Sequence, residues 1–148
     1  MLVLDANILI RAVLGKRVRA ILEQYAATVQ FFAPDVAYAD AREHLPLILS
    51  RRGIDGAAGL AVLEALGALV TSVEADLYAP LELIARRRMR LRDEEDWPIL
   101  AAALALGCPI WTEDTDFFGT GIGTWTTDRI DLFFAESEEG KGKGPNTR

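Results

Sequence analysis

The stretch Arg92–Phe118, RDEEDWPILAAALALGCPIWTEDTDFF, constrains the fold more than any other part of the chain. Four acids lead into an apolar segment whose length and Ala/Leu content fit a buried helix, and Gly107 marks its end. Pro109–Thr112 then reads as a short strand, and Glu113, Asp114 and Asp116 crowd the turn after it. A helix followed by a buried strand that ends in acids is the repeating unit of an open α/β sheet. Ligands of such sheets collect beyond the carboxyl ends of the strands. The chain also begins with such a run: LVL is fully apolar, as expected of a strand covered on both faces, and Asp5 closes it.

The remaining segments repeat the alternation. Ile8–Leu14 and Val18–Ala27 have helical apolar spacing, and Val29–Ala33 reads as the second strand. Pro34-Asp35 opens a helix running to about Arg52, on which Val36, Ala39, Glu43 and Leu47 fall near one stripe. Asp55 caps a helix over Gly56–Gly67, Leu69–Val73 is the third strand, and Glu74 to about Arg88 is helical. Thr124–Thr126 is a short fifth strand, and Asp131–Ala135 closes a domain spanning residues 1–135. Glu136–Arg148 is polar and glycine-rich and is expected to be a disordered tail. The fold class is α/β, with a central, mostly parallel sheet of four to five strands.

Composition narrows the function classes. A chain of 148 residues suggests one domain and buries roughly 68–70% of its unfolded surface. The apolar run Trp97–Trp111 is too short to span a bilayer, and the N-terminus lacks a basic segment and a cleavage site. A cytoplasmic location is the expectation. The single Cys108 and single His44 exclude a Cys/His metal site. A net charge of −6 argues against a general nucleic-acid coat, but a carboxylate cluster around a cation would account for several of those charges.

Each acid has a bland reading: Asp5 as a helix cap, Glu43 as a partner of Arg42 or Arg51, and Glu94 and Glu95 as compensation for a helix dipole. Asp93 and Asp96 are three apart and can share a face. All of them being caps or ion pairs is less economical than one shared site, in which Asn7 and Thr112 can hydrogen-bond the carboxylates. Oxygen ligands alone point to Mg²⁺ or Mn²⁺. Such a site suits phosphodiester hydrolysis. Five arginines between Arg86 and Arg92, and Arg11 on the first helix, offer contacts to a phosphate backbone or simply a solvated helix end. Two other classes stay open. One is an aspartyl-phosphate enzyme with Asp5 as nucleophile, although Asn7 stands where the second Asp of that pattern is expected. The other is a catalytically silent module that binds a protein partner.

Four pieces in order, LVLDANIL, Glu43, Asp96 before WPILAAALALG, and the Thr112–Phe117 run T-x-D-x-D-F, resemble the PIN-domain nuclease family. The likeness is greatest to its single-domain prokaryotic members related to VapC-type toxins. The resemblance implies a three-layer α/β/α fold, metal-dependent cleavage of RNA leaving 5′-phosphate and 3′-hydroxyl ends, homodimers and a cognate antitoxin. It carries the catalytic, metal-holding role onto Asp5, Glu43, Asp96 and Asp114, with Asp116 as a further ligand candidate. Asn7 and Thr112 match supporting positions, and Asp93 stands ready to assist Asp96. Arg11, Arg86, Arg87, Arg88 and Arg90 are the candidates for holding the RNA strand.

Overall fold

The computed structural model describes residues 1–142. Five strands, β1 (Leu2–Leu4), β2 (Phe31–Pro34), β3 (Val70–Val73), β4 (Ile110–Trp111) and β5 (Thr124–Trp125), form one sheet in the order β3-β2-β1-β4-β5. Every neighbouring pair is parallel. Parallel strands need crossovers, and the helices α1 (Ala6–Leu14), α2 (Arg17–Tyr25), α3 (Asp35–Arg51), α4 (Gly56–Ala65), α5 (Ala75–Tyr78), α6 (Glu82–Arg88) and α7 (Trp97–Leu106) supply them. The helices cover the sheet in the three-layer arrangement expected from the sequence. β1 is central, and its three side chains are wholly buried.

One helix group joins α1 to α2, α3 and α4; the other joins α5 and α6 to α7, which packs on β1 and β2. Pro98 through Ala103 of α7 are all buried, so this helix is apolar on every side rather than along one stripe. Gly107 ends it in the left-handed conformation, φ 65° and ψ 40°, and its N–H bonds to the Ala103 carbonyl. A Cβ there meets nothing within 4 Å, so Gly107→Ala adds conformational strain alone. That variant is expected to lose about 1 kcal/mol, a fall in melting temperature of about 3 °C by calorimetry.

Two expected boundaries move. The single helix expected over Glu74–Arg88 is two, α5 and α6, separated by a 3₁₀ turn at Ala79–Leu81. Pro80 in that turn has no amide hydrogen to continue the ladder. The closing helix α8 runs over Ile130–Gly142, so the domain boundary expected at residue 135 falls inside a helix. Its anchor is aromatic: Phe134 stacks on Tyr25 of α2 at 3.8 Å and meets Phe31 of β2 edge-on at 6.2 Å. Ser137 Oγ adds a bond to the Phe133 carbonyl. Residues 143–148 of the expected tail lie outside the described residues. Among the described residues, no helix is long and apolar enough to cross a membrane.

Candidate active site

The strand order reverses its direction of growth between β1 and β4, and the crevice beyond their carboxyl ends is where an open α/β sheet places a site. Asp5 leaves β1 there, and Thr112, Glu113 and Asp114 leave β4. A cavity of about 260 Å³ opens at this point. Its carboxylates are Asp5, Asp40, Asp96 and Asp114; Asn7, His44 and Phe117 add to its wall.

Asp5 is fixed from two sides. Its Oδ1 accepts from the Ile8 N–H at 3.0 Å, which makes it the cap of α1, and its Oδ2 accepts from the Thr112 hydroxyl. The Thr112 oxygen in turn accepts from the Asp114 N–H at 2.9 Å. One buried hydroxyl therefore joins the acid of β1 to the acid of β4. Asn7, expected to steady Asp5, instead lies exposed on the cavity wall; Ile8 and Thr112 do that work.

The turn after β4 brings in the next acids. Asp114 Oδ1 accepts from the Asp116 N–H at 2.8 Å, capping the 3₁₀ turn Thr115–Phe117. Asp96 comes from the start of α7, where its side chain makes no capping bond and is left to face the cavity. One carboxylate oxygen each from Asp96, Asp114 and Asp116 lies within 4.8 Å of the other two. Asp93 stays outside: it is exposed and caps its own 3₁₀ turn through the Glu95 N–H at 3.1 Å. Glu113 also turns away, accepting from the Thr127 N–H at 2.7 Å.

The acid that α3 brings to the cavity wall is Asp40, not the expected Glu43. Glu43 is exposed and absent from the cavity wall, which is formed on this helix by Asp40, His44 and Ile48. The buried stripe of α3 is Ala37, Tyr38, Ala41, Leu45 and Leu49, whereas Val36 and Leu47 are 38% and 58% exposed. The stripe drawn through Glu43 was rotated off the true one. Asp40, His44 and Ile48 follow each other at intervals of four along the edge of the real stripe, a signal the sequence does contain.

Crowding shows in the acidities. Burial pushes the Asp5 carboxyl up to about 6, with Asp114 and Glu113 adding to the rise against the pull of the Thr112 and Ile8 hydrogen bonds. Burial pushes Asp96 up to about 7, helped by Asp93, Asp114, Asp5 and Asp116. The nearest guanidinium is Arg92, 4.0 Å from Asp116. Hard oxygen donors, closely grouped and short of positive charge, fit a divalent cation such as Mg²⁺ or Mn²⁺.

The arginines divide. Arg86 is occupied: it pairs with Glu82 at 3.0 Å and Glu95 at 3.6 Å and lies over the Trp97 ring at 5.3 Å, so it braces α6 against α7 rather than reaching for a ligand. Arg87, Arg88 and Arg90 line a second cavity beside the Phe118 loop. Arg11 lines a third with Lys16, Arg17 and Arg52, one turn along α1 from Asn7.

The PIN domain family profile matches residues 3–135. Among solved structures, the chain is similar to one from a toxin–antitoxin complex of Klebsiella pneumoniae, with 20% identity, 86% of this chain and 98% of that one covered, and a TM-score of 0.62. It is similar to one from VapBC2 of Rickettsia felis bound to a promoter DNA fragment, with 14% identity, coverage of 84% and 96%, and a TM-score of 0.60. A chain of FitAB bound to IR36 DNA gives 18% identity, coverage of 86% and 95%, and a TM-score of 0.59. At these identities the likeness is one of fold. No curated protein sequence matches.

Proposed function

The chain belongs to the PIN domain family, and from that premise we propose that it is a Mg²⁺- or Mn²⁺-dependent endoribonuclease acting as the toxin of a toxin–antitoxin pair. The observation that carries this reading is the convergence of Asp96, Asp114 and Asp116 beside Asp5 at the switch point of the sheet. Asp96, Asp114 and Asp116 would hold the cation, with Asp5 and Asp40 lining the same cavity. When bound, the cation supplies charge against the phosphate under attack and makes water easier to deprotonate.

The chain's own residues do the rest. The Thr112 hydroxyl and the Ile8 N–H keep Asp5 in one rotamer, and Thr112 sets the turn that aims Asp114. Asp40 and His44 are exposed residues of the cavity wall, within reach of an entering strand. Attack of water on phosphorus gives its proton to a cavity carboxylate and releases the 3′ oxygen, leaving 5′-phosphate and 3′-hydroxyl ends. The similar chain from the Klebsiella pneumoniae toxin–antitoxin complex supports a protein antitoxin as partner. We extend the proposal to a homodimer in the cytoplasm.

The alternative of Asp5 as a phosphoryl-accepting nucleophile fits less well. Asp5 is only 6% exposed and both of its oxygens already accept hydrogen bonds, whereas a nucleophile must reach its substrate.

The test is cleavage of end-labelled RNA by the purified protein with Mn²⁺ and with EDTA. Products bearing 5′-phosphates that appear only with the metal support the proposal, and a protein that neither cleaves RNA nor responds to Mn²⁺ sinks it. The α3 assignment is checked in the same assay. Asp40→Asn is expected to lower the rate by about tenfold or more, and Glu43→Gln to leave it within about twofold. The reverse order would restore Glu43 to the site.

A further inference from the structure

Beyond the acidic cavity lies one of about 450 Å³, between the end of α6 and the loop that follows Asp116. Arg87, Arg88, Arg90 and Arg92 surround it, and Phe118 and Leu91 supply its apolar surface. We infer that this cavity seats one nucleotide next to the scissile phosphate, its base stacked on Phe118 and its phosphate held by Arg87, Arg90 and Arg92. The inference rests on the ribonuclease reading and adds to it a position for the strand.

Three observations carry it. First, the cavity adjoins the reaction centre. Phe117 lines the acidic cavity and Phe118 the basic one, and Arg92 stands 4.0 Å from Asp116 across the boundary. A strand whose phosphate lies among the acids has its neighbouring nucleotide here.

Second, the cations are uncompensated. Among the described residues, Arg87, Arg88 and Arg90 have no carboxylate within ion-pair distance, in a protein whose net charge is −6. Three guanidiniums around one space, with Arg92 beside them at its Asp116 contact, favour the entry of an anion, and phosphate fits their planar donors well.

Third, the aromatic platform is built in advance. Phe118 is 44% exposed, yet its backbone is fixed: its N–H bonds to the Thr115 carbonyl at 3.0 Å, and Arg88 Nη1 grips the Thr120 carbonyl at 3.1 Å. Gly119 and Gly121 take φ of 80° and 89°, and a Cβ on Gly121 would come within 2.9 Å of Arg88 Nη1. Arg88 is thus a positioning residue for the loop, and the ring waits for a partner with little ordering left to do. An aromatic face among arginines is how single strands are held, since every base can stack.

The experiment is binding of a short fluorescent single-stranded RNA to the full chain in EDTA, followed by anisotropy at several salt concentrations. Phe118→Ala is expected to weaken binding about tenfold with its salt slope unchanged, and Phe118→Trp to restore it. Arg87→Gln with Arg90→Gln is expected to flatten the slope. RNA lacking the base at one position should bind the parent as weakly as Phe118→Ala binds intact RNA, with no further loss when the two changes are combined. Parent-like binding by Phe118→Ala overturns the inference while leaving the nuclease reading intact. So does a change in oligomeric state by light scattering with RNA binding untouched, which would make this face a protein interface. A parent that neither binds nor cleaves RNA overturns both.

Discussion

Asp5→Asn is expected to lower metal-dependent RNA cleavage by a hundredfold or more, while melting no lower than the parent in EDTA. The two halves of the result have separate causes. An amide keeps the acceptor for the Ile8 N–H at the start of α1, and its nitrogen can donate to the Thr112 oxygen, which has a second lone pair beside the one used by Asp114. The hydrogen bonds that cap the helix and hold the turn therefore survive. What disappears is a buried negative charge that burial, with Asp114 and Glu113 adding to it, has already made hard to keep, as its rise to about 6 records. Losing it relieves the apo fold but removes the field that draws a cation toward the crevice. A variant that still cleaves within threefold of the parent, in a preparation free of other nucleases, would take Asp5 out of the site.

Asp96→Asn is expected to separate the site's electrostatics from its chemistry. The folded protein holds the Asp96 proton more tightly than the unfolded chain, with a folded pKa near 7 against an ordinary 3.8. Between those values the native state binds more protons than the unfolded one, so apo stability falls as pH rises from about 4 through about 7. The variant has no such proton and should show a flatter profile. At neutral pH in EDTA it should be the more stable by an amount on the order of 1 kcal/mol, a figure already reduced because Asp96 is only half buried. Asp96 makes no capping bond to α7, so the substitution forfeits none. Mn²⁺ should reverse the order: saturation at a hundred times the dissociation constant adds roughly 2.7 kcal/mol to the parent, and much less to the variant. Equal shifts of the two melting curves with Mn²⁺ would show that Asp96 does not hold the ion.

The fold was readable because its signals are local and redundant. LVL and PIW are short apolar runs closed by acids, α7 is apolar around its whole circumference and ends at Gly107, and together they specify a buried parallel sheet. That Asp5, Asp96 and Asp114 come to one crevice is legible for the same reason, since each stands where a strand or helix meets it. The acid of α3 was not. A helix advances about 100° per residue, so an error of one position in drawing its apolar stripe moves a side chain off the site, and Tyr38, Ala41 and Leu45 define the stripe better than Val36 and Leu47. Arg86 shows another limit. Its acidic partners lie four, eight and nine residues away, and only the packing of α6 against α7 decides that it meets them. The run past Ala135 reads as disordered by composition, but Phe134 just before it docks on Tyr25 and Phe31, and the helix continues through Gly142.

The hydrogen bond between Thr112 and Asp5 spans 107 residues of sequence. It ties the acid that leaves the sheet first to the one that leaves it fourth, and Asp116 lies later still. A chain interrupted between Asp96 and β4 holds Asp5, Asp40 and Asp96 but lacks that strand, and with it the hydroxyl that locks Asp5. No fragment that ends before Asp116 carries the full set of acids, because β4 and the turn after it supply Asp114 and Asp116. The proposed ribonuclease centre would therefore be absent from a growing chain until the turn after β4 had been made.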